Sequence, residues 1–154
     1  MKVFLDRTRL LGDKLGPLLY QTPPQMHRNY DVLEDFLKLL PRDMRHTFEF
    51  RHDSWLDEGV FRLLRRYNVA LSLLDMPSLA TPLVATADFA YMRFHGSTDL
   101  YASRYSDDDL QQWAKKLSEL SQKLKALYVY FNNDAHAHAV SNAVTMRGIL
   151  GSQL

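Results

Sequence analysis

Two short runs, Phe48-Glu49-Phe50-Arg51-His52 and Tyr91-Met92-Arg93-Phe94-His95, interleave aromatic residues with charges at a spacing of two, and both end on a histidine. A carboxylate, two guanidinium groups and two imidazoles are the groups from which anion binding and proton transfer near neutral pH are built. In an extended chain, alternate side chains point to opposite faces. Glu49 and Arg51 then share one face, as do Tyr91, Arg93 and His95, while Phe48, Phe50, Met92 and Phe94 occupy the other. Two such strands, greasy on one side and charged on the other, define a polar interior or pocket.

The candidate chemistry follows from residue type. Arg51 and Arg93 can hold a phosphate or carboxylate through forked hydrogen bonds. Glu49 and His95, with His52, are the candidate proton-moving groups. Gln21, Asp75, Tyr130 and Asn132 fall at or near the ends of other extended runs and complete the expected binding set. An equal alternative is structural, with Glu49 pairing the arginines in a buried network. His52 and His95 end their strands, so their rings are expected to meet over the site. With Glu49 or Asp75 they would make a mixed divalent-metal site, but no local ligand spacing supports one, and no cofactor is identified. His136-Ala-His138 is the nearest pattern, and on a helix those two rings diverge by about 200°. Asn133 or Asp134 is expected to cap the helix that follows. Tyr91, Tyr128 and Tyr130 either line a pocket for a flat or sugar-like group or pack together. Trp55 reads as a packing residue. There is no Gly-rich phosphate loop, nucleophile elbow or dinucleotide fingerprint, and Gly96-Ser97-Thr98 is only a weak anion-binding turn.

The elements that must position these groups alternate. A helix is expected over 3–15, with Phe4, Leu5, Leu10 and Leu11 as its apolar stripe, then a strand over 17–21 stopped by Thr22-Pro23-Pro24. A helix from Asn29 to Leu40 precedes the first motif strand, 46–51. Ser54 or Asp57 caps a helix reaching Asn68, and Val69 to Asp75 is a buried strand. After a proline-containing loop comes the second motif strand, 89–95. Ser106-Asp107-Asp108-Asp109 opens a further helix, Leu127–Phe131 is the last strand, and a helix begins near Ala135. Such alternation argues for an α/β architecture with a parallel sheet, whose ligands sit beyond the C-terminal strand ends.

With 154 residues, 46% of them apolar, the chain can bury a substantial core. The formal charge of +1 gives no global reason to expect nucleic acid or an anionic membrane. The absence of cysteine excludes disulfides, thiolate metal sites and cysteine nucleophiles. Neither a signal peptide nor a bilayer-spanning run is evident, so the default expectation is a soluble cytoplasmic protein.

Several segments resemble the YecE-like proteins, the domain of unknown function 72 family. They are Leu11-Gly12-Asp13-Lys14-Leu15-Gly16-Pro17, Gln21-Thr22-Pro23-Pro24, Phe48-Glu49-Phe50-Arg51-His52 with Ser54-Trp55, and Arg93-Phe94-His95-Gly96. Tyr105-Ser106 and Tyr130-Phe131-Asn132-Asn133-Asp134 with His138-Ala139-Val140 complete the series. The resemblance implies a TIM-type (β/α)8 barrel, on the order of 250 residues when complete. It implies that this chain is the C-terminal part, about five β/α units, of an N-terminally truncated single domain. Thr22 stands in a usually apolar slot and Asp53 where proline is common. The family supplies no established reaction. The residues point to an enzyme fold binding a small phosphate- or carboxylate-bearing molecule, with hydrolysis or isomerisation as the chemistry. The alternatives are a non-catalytic metabolite-binding or interaction module, and an inactive fragment. Five strands cannot close an eight-stranded barrel, so self-association through open sheet edges is also expected.

Overall fold

Period-two alternation and helical stripes resolve into strands and helices that succeed one another along the chain. A computed structural model describes residues 1–151. The elements are α1 Lys2–Thr8, β1 Leu18–Gln21, α2 Tyr30–Lys38, β2 His46–Glu49, α3 Glu58–Tyr67, β3 Ala70–Asp75, β4 Phe89–Phe94, α4 Asp107–Ser121, β5 Ala126–Phe131 and α5 His138–Gly151. The strands form one five-stranded sheet in the order β1-β2-β3-β4-β5, and every pairing is parallel. β1 and β5 are its edges. No described helix is long and apolar enough to cross a membrane.

Local chemistry explains the boundaries. Asn29 caps α2 by accepting from the Val32 N–H at 3.1 Å, and Asp57 caps α3 by accepting from the Val60 N–H at 3.0 Å. α3 stops at Asn68, whose left-handed backbone (φ 53°) suits asparagine. Ser106 and Asp109 form a reciprocal capping box at the start of α4. The N-terminal expectation needs correction. α1 ends at Thr8, and residues Arg9–Lys14 turn as a 3-10 segment through Gly12 at φ 53°. The helical stripe is therefore broken, leaving Leu5 buried but Phe4, Leu10 and Leu11 exposed.

The two faces of the sheet are distinct. Phe48, Phe50, Leu71, Leu73, Met92 and Phe94 pack with Leu33, Leu37, Val60, Leu64, Leu110, Leu117 and Met146 from the helices. Trp55 belongs to this layer, stacked on Phe50 at 4.6 Å and donating to the Met26 carbonyl at 2.7 Å. On the opposite face Ala70, Phe89 and Tyr91 form a smaller cluster with Leu19, Ala126 and Tyr128. Between them, on that inner face, lies the polar residue Glu49.

Candidate functional site

Parallel register brings the charged residues together. Gln21 pairs with Glu49 across β1 and β2, Leu74 with Arg93 across β3 and β4, and Arg93 with Tyr130 across β4 and β5. The Glu49 carboxylate is fully buried and lies between two guanidinium groups. Arg93 donates to Oε2 at 2.6 Å, Arg51 forms an ion pair with Oε1, and the Ser72 hydroxyl donates to Oε2 at 3.4 Å. Arg93 Nε also donates to Asn132 Oδ1 at 2.9 Å, and the Asn132 N–H is fixed by the Phe94 carbonyl at 2.7 Å. Within this cluster one negative charge thus serves two positive ones.

The two arginines are not equally satisfied. Arg93 has strong acceptors on two of its nitrogens. Beyond Glu49, Arg51 reaches only Gln21 Oε1 and Met76 Sδ among the described residues, each at 3.5 Å, and its buried Nε has no partner among them. Its side chain is 9% exposed. Arg51 lines a cleft of about 630 Å3 whose walls come from the C-terminal end of β1 and the segments that follow β1, β2, β3 and β4, with Gln21, His52, Met76 and Tyr101 beside it and the Asp53 carboxylate and Ser78 also on its lining. A second cavity, about 360 Å3, lies on the helical side among Tyr20, Met26, Leu33, Phe36, Phe48 and Trp55. It holds no charged group.

His95 follows Arg93 on the inner face and is fully buried. Neither ring nitrogen has a hydrogen-bond partner among the described residues. Burial, reinforced by the Arg93 charge, pushes its pKa down to about 4 against the opposing pull of Glu49. The imidazole is therefore neutral at neutral pH. The edge of Tyr101 covers it at a centroid distance of 5.3 Å, and the Tyr101 N–H donates to the His95 carbonyl. Gly96 makes this return possible: its φ is +106°, and a Cβ there would collide with the Asp99 carbonyl.

Other expected site residues are placed differently. His52 does not face His95. Its ring lies 4.0 Å from that of His27, and its Nδ1 accepts from the Ser54 N–H at 3.1 Å, capping the 3-10 turn Asp53–Trp55 at the cleft's rim. Asp75 is in phase with Leu71 and Leu73, so its carboxyl turns to the helical side, beside Tyr105 and Trp113; burial raises its pKa. Tyr130 stacks on Tyr91 at 4.9 Å on the edge strand and does not line the cleft. Tyr128 accepts from Arg45. His136 and Ala137 have positive φ (54° and 60°), so the helical estimate of ring divergence does not apply, and the His136 and His138 rings sit 5.7 Å apart.

A family model described as "Protein of unknown function DUF72" matches residues 1–154. The chain belongs to the DUF72 family. It is 28% identical over 169 residues to the UPF0759 protein YunF of Bacillus subtilis (strain 168), a match covering 92% of this chain and 60% of YunF. The crystal structure of a DUF72 family protein from Thermotoga maritima MSB8 superposes with a TM-score of 0.88 at 28% identity, covering 97% of this chain and 64% of the other. A DUF72 family protein from Enterococcus faecalis V583 shares the fold, with a TM-score of 0.84 at 20% identity over 97% and 64% of the respective chains. This DUF72 chain therefore spans less than two thirds of the length of these relatives.

Neither Asn133 nor Asp134 caps through its side chain in this DUF72 member. Asp134 makes no side-chain cap bond. The buried Asn133 amide donates to the Ser103 carbonyl at 3.0 Å and to Asn142 Oδ1 at 2.9 Å. Asn142 in turn donates to the Tyr105 carbonyl at 2.9 Å and accepts from its N–H at 3.2 Å. This tie fastens the segment after β5 to the loop that covers His95. Asn142 escaped the sequence reading, although a signal existed: with Ala139 and Met146 it forms the buried stripe of α5, where a lone amide stands out. Asn142→Ala should cost about 2 kcal/mol, by stranding buried polar partners. A loss within 0.5 kcal/mol in urea denaturation would show that the tie is dispensable.

Proposed function

We propose that this DUF72 chain supplies the anion-binding site of a TIM-type (β/α)8 barrel, with a small phosphate- or carboxylate-bearing substrate held beyond the C-terminal strand ends. The stretch of the Thermotoga protein that the chain does not match is roughly 80 residues, about three β/α units at the usual length, which would bring five parallel strands to eight. The single observation that carries the ligand reading is Arg51. Its guanidinium faces a cleft with a buried, unpartnered Nε, while its charge is only shared in Glu49. Glu49, Arg93 and Asn132 act as positioning residues that hold Arg51 and the inner face rigid. Proton transfer on the bound molecule falls to His95, with His52 at the rim. Hydrolysis and isomerisation both suit these groups.

Inorganic phosphate should raise the thermal midpoint of the protein at low ionic strength. Arg51→Gln should weaken phosphate binding at least tenfold, about 1.4 kcal/mol, as read by isothermal titration. Equal affinity in wild type and Arg51→Gln would overturn the assignment of this cleft.

A further inference from the structure

The cleft also indicates what accompanies the negative charge. His95 is neutral, so it offers one N–H donor and one bare nitrogen acceptor, and both are unpartnered inside the fold. Buried polar atoms in native proteins are nearly always paired. An anionic oxygen could pair only with the N–H, and a cation only with the bare nitrogen. A hydroxyl can both donate and accept, and is the common ligand group that matches a neutral imidazole from either nitrogen.

One residue of the cleft's lining is in contact with the His95 ring. Tyr101 lines the cleft, is 45% exposed, and sits edge-on over the imidazole. Its backbone is left-handed, at φ 62°, an uncommon state for a tyrosine. The loop carrying it leaves β4 through Gly96 and is closed at its base by Ser103, whose hydroxyl accepts from the N–H groups of Thr98 and Asp99 at 2.9 and 3.1 Å. Tyr101 thus stands between the cleft, which it lines, and the buried imidazole, which it touches. Met76, Leu79 and Leu100 supply apolar wall for a carbon skeleton.

Resting on the anion-binding reading of the same cleft, we infer that the substrate is a hydroxylated organic anion, a polyol phosphate or a hydroxy acid, whose anionic end binds Arg51 and whose hydroxyl displaces Tyr101 from His95. Tyr101 is then the specificity-determining cover, holding His95 away from water until a hydroxyl takes its place.

The test compares glycerol 3-phosphate with n-propyl phosphate, which share the anionic end and differ in hydroxyls. Isothermal titration of the wild-type chain should show at least tenfold tighter binding of glycerol 3-phosphate. The imidazole 15N resonances of His95 should move with that probe and not with n-propyl phosphate. His95→Phe should bring the affinity ratio close to one. Tyr101→Ala, which leaves the buried layer intact, should tighten glycerol 3-phosphate selectively. Equal binding of the two probes with no His95 response overturns the hydroxyl inference while leaving the anion site standing, as does a preference that survives His95→Phe. Failure of both phosphates to bind overturns both readings.

Discussion

Replacing Glu49 by alanine should lower the unfolding free energy by about 3–5 kcal/mol, among the largest losses any single substitution in this chain would cause. The carboxylate is fully buried, and the arginines that flank it are only 9% and 16% exposed. Removing it leaves two guanidinium groups close together, poorly hydrated and without a counter-charge. Glu49→Gln keeps one acceptor oxygen and should lie between wild type and alanine. Urea denaturation of the three proteins reads the effect directly, as a change of midpoint at constant slope. A loss below 1 kcal/mol for Glu49→Ala would mean that the arginines find water or each other's acceptors without help, and that the cluster is looser than its geometry.

A second large effect is expected in acid. Unfolded His95 takes up a proton near its ordinary value of 6.5, whereas the folded protein resists protonation until about pH 4. Between those values the unfolded chain binds more protons, so stability rises with pH. Stability from this source is complete above pH 6.5 and is lost as pH drops through the window, the loss reaching on the order of 3 kcal/mol by its lower limit. The groups facing His95 are Arg93 and Arg51, which oppose its protonation, and Glu49, which favours it. His46, also lowered by burial, acts in the same direction, while Asp75, raised by burial, recovers stability as it protonates. The comparison that isolates His95 is therefore wild type against His95→Gln, which should lose most of the slope between pH 6.5 and 4. An unchanged slope in the variant would assign the acid sensitivity elsewhere.

The period-two rule made much of the site legible. It placed Glu49, Arg51, Arg93, His95 and Asn132 on one face, and the parallel sheet then joined Glu49, Arg51, Arg93 and Asn132 by ion pairs and hydrogen bonds. The same rule, applied to β3, sends Asp75 outward with Leu71 and Leu73. Proximity to a strand end had outweighed phase there. His52 lies beyond the strand, where alternation has lapsed, and a three-residue turn sets its direction. The role of Asn133 depends on Ser103, 30 residues away, and on Asn142 on the next helix. No local pattern encodes that meeting. Tyr101 was invisible for a related reason: its place over His95 comes from a loop that turns back through Gly96, and exposed polar loops carry no periodicity. His136 and His138 mark the opposite failure, a helical rule extended into residues whose backbone is left-handed.

A sheet whose strands stack in the order of the chain can be built as the chain is synthesised. Among the described strands, each of β2 to β5 pairs with the strand synthesised just before it, so nascent β2 can dock on β1, and β3 on β2, with no long wait for that partner. The polar cluster obeys a later clock. Arg93 follows Glu49 by 44 residues and Asn132 follows Arg93 by 39, a few seconds each at roughly 5–20 residues per second. During that interval Glu49 has Arg51 as its only ionic partner, and the inner face stays open at the growing edge. The arrival of β4 and then β5 brings Arg93 and Asn132 to this face and completes the polar cluster around Glu49.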